Sequence, residues 1–151
     1  MALNNEISQF DDSQKFPSKG FTALNDLKNV DRLLTNAELL AINSTPIILT
    51  STPDANSYAK VIAEVWISYK GNGVSYTADD CNLRYTGTGN SILTIPKADF
   101  EHTSDFIKGY VISDLSVSSF NDTLELKGIT NFTGAGPSIK IDFIYRIISA
   151  V

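Results

Sequence analysis

Cysteine, histidine and long hydrophobic runs are scarce in this chain of 151 residues, which has one cysteine, Cys81, and one histidine, His102. A single cysteine excludes an intrachain disulfide framework and any zinc module built from several cysteines. No apolar stretch approaches membrane-spanning length, and the N-terminus lacks the basic and apolar regions of a secretory signal. We therefore expect a chain that is made in the cytoplasm, has no membrane partner, and is stabilised by packing or by partner chains.

Basic charge is also scarce, with 12 Lys and Arg residues against 17 Asp and Glu residues and a formal net charge of −5. The basic residues are scattered along the chain rather than clustered. Binding to a phosphate backbone requires a concentrated positive surface. Nucleic acid is therefore not an expected partner.

The residues that are abundant favour β structure, since Ser, Thr, Asn, Ile, Tyr and Phe suit strands and turns. The length matches one domain. Short apolar segments recur every eight to twelve residues, which predicts an all-β, antiparallel, jelly-roll-like β-sandwich over residues 35–151. The expected strands are Pro46 to Thr50, Tyr58 to Tyr69, Asn82 to Thr86, Ser91 to Ile95, Ile107 to Ile112, Thr123 to Lys127 and Ser138 to Ser149.

The first 34 residues differ from the rest, because they are mostly polar and show no hydrophobic period. We interpret residues 1–34 as an extended N-terminal arm. Its aromatic residues Phe10, Phe16 and Phe21 are candidates for docking onto a partner, while a partly ordered leader without a partner is the alternative.

Two local signals predict how the sandwich begins. Thr35 and Glu38 have the spacing of a capping box, which predicts one short helix continuing through Ile42. The segment Lys70 to Gly73 supplies residues that tolerate positive φ, so we expect a hairpin in which Val74 to Ala78 returns antiparallel.

The two longest expected strands carry apolar residues on both faces. Ile62, Trp66, Ile144 and Ile148 lie on the face opposite the main apolar series. A lone sandwich would leave these four side chains exposed as an apolar patch. They are therefore candidates for an interface between subunits, the alternative being that the capped helix or the arm covers them within one chain.

Candidate catalytic and metal-binding groups are isolated. His102 has acidic and hydroxyl neighbours within one loop, but a catalytic triad is assembled in space. Asp79, Asp80 and Cys81 are too few for a zinc or calcium site. The glycines of Gly134 to Pro137 precede a strand rather than a helix, which excludes a phosphate-binding loop. The expectation is a protein that is not an enzyme and needs no cofactor or metal.

The run from Leu39 to Leu49, followed by Pro53-Asp54-Ala55 and Lys60-Val61-Ile62, resembles small structural proteins of tailed-phage virions. In that family a helix leads through Thr-Pro and a glycine-containing turn into a long hydrophobic strand. Asp54 and Asn56 stand where the family has turn glycines, and both residue types tolerate left-handed geometry. The downstream segments that are similar are Leu83 to Tyr85, Leu124 to Leu126 and Gly134 to Tyr145.

The resemblance implies a β-sandwich subunit of the virion that decorates, or is attached to, the capsid, a head fibre or the tail. It implies a homo-oligomer, with a trimer favoured, whose arm contacts other virion proteins, and it implies no active site. The alternative is a carbohydrate- or receptor-binding module of a phage fibre. That module would use exposed rings as stacking platforms, and the candidates are Tyr58, Trp66, Tyr69, Tyr76 and Tyr85.

Overall fold

The computed structural model describes residues 27–62, 64–112 and 120–149. Within these ranges no helix is long and apolar enough to cross a lipid bilayer. The elements are β1 (Leu27–Leu34), α1 (Asn36–Leu40), β2 (Ile47–Ile48), β3 (Ser57–Val61), β4 (Val65–Tyr69), β5 (Cys81–Tyr85), β6 (Ser91–Ile95), a 3₁₀ turn (Lys97–Phe100), β7 (Phe106–Tyr110), β8 (Leu124–Gly128) and β9 (Ile139–Ser149).

The strands pair in a nested order, from the outermost pair of the chain to the innermost. β1 pairs with β9, β2 with β8, β4 with β7, and β5 with β6, all antiparallel. The first sheet has the order β1-β9-β4-β7, with β3 also pairing with β9, and the second has the order β2-β8-β5-β6. A long hairpin rolled into two sheets in this way is a jelly roll. The expected all-β antiparallel sandwich is confirmed.

The core lies between the two sheets and is lined by alternate residues of each strand. In β4, Val65 and Ile67 are buried while Trp66 between them is exposed. The hydroxyl of Tyr85 in the second sheet donates to the carbonyl of Ala59 in the first at 2.7 Å, which links the layers inside the core. The alternation that predicted strands therefore also fixes which side chains face inward.

The predicted capping box is present. The hydroxyl of Thr35 accepts from the amide of Glu38, and the Glu38 carboxylate accepts from the amide of Thr35 at 2.8 Å. The helix ends at Leu40, two residues earlier than expected. Beyond it the chain is held by β8, since the carbonyl of Ile42 accepts from the amide of Gly128.

The expected continuous strand from Tyr58 to Tyr69 is interrupted. Val61 lies opposite Tyr145 and Trp66 lies opposite Asp142, so five steps along this strand match only three along β9. The pairing of β4 with β9 is therefore offset by two residues from that of β3. Because the number is even, the inward face of β3 continues as the inward face of β4.

The expected hairpin at Lys70 to Gly73 is wrong. Gly73 does have a positive φ of 81°, but β4 pairs with β7 and β9 instead of with Val74 to Ala78. The segment after β4 instead leads from the first sheet to the second, and Tyr76 within it is buried. The hydroxyl of Tyr76 donates to the carbonyl of Pro137 at 2.7 Å. Burial of this ring outweighs the local turn signal.

Residues 27–34, assigned to the arm from the sequence, form β1 and pair along their full length with β9. Only Val30 and Leu34 of this strand are buried. A spacing of four residues between buried positions is not the alternation typical of a strand, so the sequence pattern concealed it. Phe10, Phe16 and Phe21 lie outside the described residues.

Candidate interaction surface

The side of the first sheet that points away from the core is called here the outer face. Strand alternation and pairing register assign its members on neighbouring strands. They are Leu27, Asn29, Asp31 and Leu33 on β1, Lys140, Asp142, Ile144, Arg146 and Ile148 on β9, Tyr58, Lys60 and Ile62 on or beside β3, Trp66 and Ser68 on β4, and Ile107 and Gly109 on β7.

The structure places the interface candidates together on this face. Ile62, Trp66 and Ile144 are exposed by 47%, 42% and 39%, and the amide of Ile62 donates to the carbonyl of Ile144 at 3.0 Å. Ile148 is half-buried, opposite Tyr58. The capped helix does not cover these side chains, because its hydrogen bonds join it to the segment 128–136.

Two further apolar side chains extend this patch. Ile107 on β7 is 71% exposed, and Val111, directly after β7, is 73% exposed. Their positions two residues before and two residues after Gly109 were visible in the sequence, although the register that puts β7 beside Trp66 was not. We call Ile62, Trp66, Ile107, Val111 and Ile144 the apolar strip.

Acidic residues meet at one end of the outer face. Asp31 and Asp142 lie directly opposite each other on β1 and β9. Like charges at opposed positions repel. Lys140 sits between them, with its ammonium 3.0 Å from Asp31 and 3.7 Å from Asp142, and the hydrogen bond to Asp31 raises the pKa of Lys140. The three residues together carry a net charge of −1.

Basic residues meet on the other side of Ile144. Lys60 and Arg146 lie directly opposite each other on β3 and β9. Among the described residues neither forms an ion pair with a carboxylate. The Nε of Arg146 is buried without a hydrogen-bond partner. Two cations thus lie side by side, and no carboxylate of residues 27–62, 64–112 or 120–149 forms an ion pair with either.

A groove of about 650 Å³ adjoins the acidic end of the outer face. Its lining includes the apolar side chains of Leu33 and Ile107 and the lysines Lys70 and Lys140. Leu33 is 60% exposed, so the groove continues the accessible apolar area of the sheet.

A polar cluster around the buried side chain of Asp99 lies at the opposite edge of the first sheet from β1. One oxygen of Asp99 accepts from the Tyr110 hydroxyl and from the Lys108 ammonium, each at 2.6 Å. The hydroxyl of Tyr69 donates to the carbonyl of Asp99 at 3.0 Å. Burial, reinforced by the hydrogen bond to Asp99, raises the pKa of Tyr110. Every one of these groups has a partner, so the cluster fastens the turn after β6 to β7.

The candidate catalytic and metal-binding residues contact other groups of the fold. The ring of His102 stacks on Phe106 with centroids 4.4 Å apart. Cys81 is fully buried, and burial raises the pKa of its thiol. A carboxylate oxygen of Asp80 accepts from the backbone amide of Lys97. Within the described ranges, no group of three His, Cys, Asp or Glu residues is placed to hold a metal ion.

Stacking platforms for a glycan are not brought together on the surface. Tyr69, Tyr76 and Tyr85 are buried and bonded within the core. Tyr58 is half-buried and packs edge-to-face against Phe120, with centroids 5.7 Å apart. Trp66 is the exposed ring of the five candidates.

Comparison of the chain with protein-family models, with curated proteins and with solved structures found no match in any of the three.

Proposed function

We propose that this chain is a structural subunit of a tailed-phage particle that self-associates through its outer face. The subunit decorates, or is attached to, the capsid or tail. The N-terminal arm, with Phe10, Phe16 and Phe21, attaches it to other particle proteins. The function is mechanical and uses no catalytic group or cofactor.

The apolar strip is the observation that carries this proposal. A tryptophan side chain presents about 250 Å², of which the 42% exposure of Trp66 leaves about 100 Å² accessible. Burying that area is worth about 2.5 kcal/mol at about 25 cal/mol per Å². The other four members raise the total to about 8 kcal/mol. Association itself costs about 4–15 kcal/mol, so the strip offsets much of that cost.

The fold and the resemblance support the location. Jelly rolls are the architecture of viral capsid domains and also of lectins. Fold alone does not assign a function. The resemblance of Leu39 to Leu49 and the following turn to virion structural proteins favours the capsid or tail over a glycan-binding role, and so does the burial of Tyr69, Tyr76 and Tyr85.

Self-association is tested by light scattering and sedimentation velocity of the full chain over a wide concentration range. We expect an oligomer that Trp66→Ser/Ile144→Ser converts to a monomer. Ile129→Ser/Val74→Ser is the matched control, because both residues are exposed apolar side chains outside the apolar strip. A wild-type monomer at every concentration contradicts the proposal.

Location is tested by separating a culture that produces the chain into particle, cytosolic and membrane fractions on a density gradient. We expect the chain in the particle fraction. Deletion of residues 1–26 is expected to release it while leaving self-association intact, because β1 begins only at Leu27. Recovery of the full chain in the cytosolic fraction alone contradicts a virion role.

A further inference from the structure

The outer face carries opposite charges at the two ends of one strand. Asp142, Ile144 and Arg146 alternate along β9 and therefore share this face. Asp31 adds to the acidic end and Lys60 to the basic end, each from a neighbouring strand. The distance from Asp142 to Arg146 along β9 is four residues, about 13 Å.

We infer that the partner of this face is a second copy of the chain, packed face to face about a two-fold axis that crosses β9 at Ile144. The inference rests on the proposed self-association and specifies its geometry. The axis runs across the strands, so β9 lies antiparallel to β9 of the second copy. Ile144 meets its own counterpart, and Asp142 of each copy lies over Arg146 of the other.

This geometry brings each charged pair of one copy opposite a pair of the other sign. The acidic pair Asp31 and Asp142 keeps a net negative charge after its pairing with Lys140, and the basic pair Lys60 and Arg146 repels itself within one sheet. In the dimer the acidic pair of each copy faces the basic pair of the other copy. Asp31 and Lys60 lie one strand to either side of β9, within reach of the long side chains of the partner.

Arg146 provides an independent observation. Within the part of the chain that the structure describes, its Nε is buried and has no hydrogen-bond partner. A guanidinium presents its donors in a fork that suits a carboxylate. Asp142 of a second copy supplies such a carboxylate to the part of the half-buried Arg146 side chain that stays accessible, and the apolar strip around it excludes water and strengthens the pair.

The symmetry differs from that implied by the resemblance. A contact of one surface with itself is isologous and joins subunits in twos, so it does not close a three-fold ring. The outer face therefore points to a dimer rather than to the expected trimer.

Two charge-reversed full-length variants test the inference. Lys60→Glu/Arg146→Glu makes the face wholly acidic apart from Lys140, and Asp31→Lys/Asp142→Lys makes it wholly basic. Each variant alone is expected to dimerise at least about tenfold more weakly than the wild type, because close charge pairs across an interface couple by more than about 1.4 kcal/mol. Mixed in equal amounts, the two are expected to form a heterodimer. Mass is measured by sedimentation velocity and light scattering, at low and high salt.

Lys97→Glu/Lys127→Glu is the matched control, because it makes the same charge change outside the outer face. It is expected to dimerise like the wild type. If a reversed variant fails to fold by circular dichroism, Lys60→Gln/Arg146→Gln replaces it, with weaker dimerisation still expected.

The outcomes separate this inference from the proposed function. A wild-type monomer overturns both. Three results overturn the two-fold contact but leave self-association standing. They are a wild-type trimer, an oligomer that the charge reversals do not weaken, and reversed variants that form no heterodimer when mixed. If the wild type is a monomer and the variants of Lys60 and Arg146 lose thermal stability, a segment of the same chain occupies the outer face. That result also overturns the inference.

Discussion

Trp66 of β4 lies directly opposite Gly109 of β7, and its indole fills the space where a side chain at position 109 would stand. A Cβ built on Gly109 lies 2.8 Å from both Cε2 and Cζ2 of the ring. The ring therefore leans across the neighbouring strand instead of projecting straight into solvent.

Gly109→Ala is expected to move the indole without unfolding the protein. The atoms nearest the new methyl group belong to the free end of an exposed side chain, which gives way at little cost. Stability should change by less than about 1 kcal/mol, because a strand glycine is itself unfavourable. Intrinsic fluorescence should shift to longer wavelength as the ring becomes more exposed. Ser68→Ala, on the same strand and face, is the control and should leave the emission unchanged.

Gly71→Ala is expected to be clearly more damaging, although it makes the same chemical change. A Cβ at Gly71 lies 2.2 Å from the backbone carbonyl oxygen of Thr103 and 2.5 Å from Cα of Ser104. Backbone atoms do not rotate away, so the loop must move, at a cost of about 1–3 kcal/mol. Urea unfolding measures the difference. Equal stabilities of the Gly71→Ala and Gly109→Ala variants contradict this packing.

Glu38→Gln is expected to reduce the loss of stability in acid. The amide of Thr35 foremost, and Arg32 in addition, lower the pKa of Glu38 below its ordinary value of 4.5. The unfolded chain therefore binds the proton at higher pH than the folded one, and this contribution is present above about pH 4.5 and disappears as the pH falls through the folded-state pKa.

Glutamine keeps the reciprocal hydrogen bond of the capping box but does not titrate. Urea unfolding at a series of pH values should show a shallower decline for Glu38→Gln below about pH 4.5. If the free energy of unfolding falls equally steeply with decreasing pH in the wild type and in Glu38→Gln, the ion pair and the cap are not a source of acid sensitivity.

Tyr110→Phe is expected to destabilise the fold at neutral pH and to lessen its alkaline sensitivity. The variant loses a hydrogen bond to a charged carboxylate, worth about 1.5–3 kcal/mol. The pKa of Tyr110 in the folded protein is raised above its ordinary value of 10.0, so the unfolded chain loses this proton first as the pH rises. The free energy of unfolding of the wild type therefore falls at pH values above 10.0.

Part of the slope that remains in Tyr110→Phe belongs to Cys81, whose pKa burial raises above its ordinary value of 9.0, and part to Tyr69 and Tyr76, whose pKa values burial also raises. Guanidinium unfolding between pH 8 and pH 11 measures both effects. A variant that is as stable as the wild type at neutral pH contradicts the role of Asp99 as a buried acceptor.

Strand positions were predictable from the sequence because alternation is a local consequence of extended backbone geometry. The segment Ser91 to Ile95 has its expected bounds, and the segments beginning near Asn82, Ile107, Thr123 and Ser138 differ by one or two residues. The capping box was predictable for the same reason, since Thr35 and Glu38 are three residues apart. Features that depend on a distant partner were not predictable, and β1 is the main example, because only its pairing with β9 makes it a strand.

The apolar residues Ile62, Trp66 and Ile144 followed from the sequence alone, because apolar side chains on both faces of a strand signal a second covered surface. Which charges accompany them was decided by tertiary structure. Asp31 is 111 residues from Asp142, and Lys60 is 86 residues from Arg146, so only strand register sets them side by side. Local periodicity determines which way a side chain points, whereas the order and register of strands determine what stands next to it.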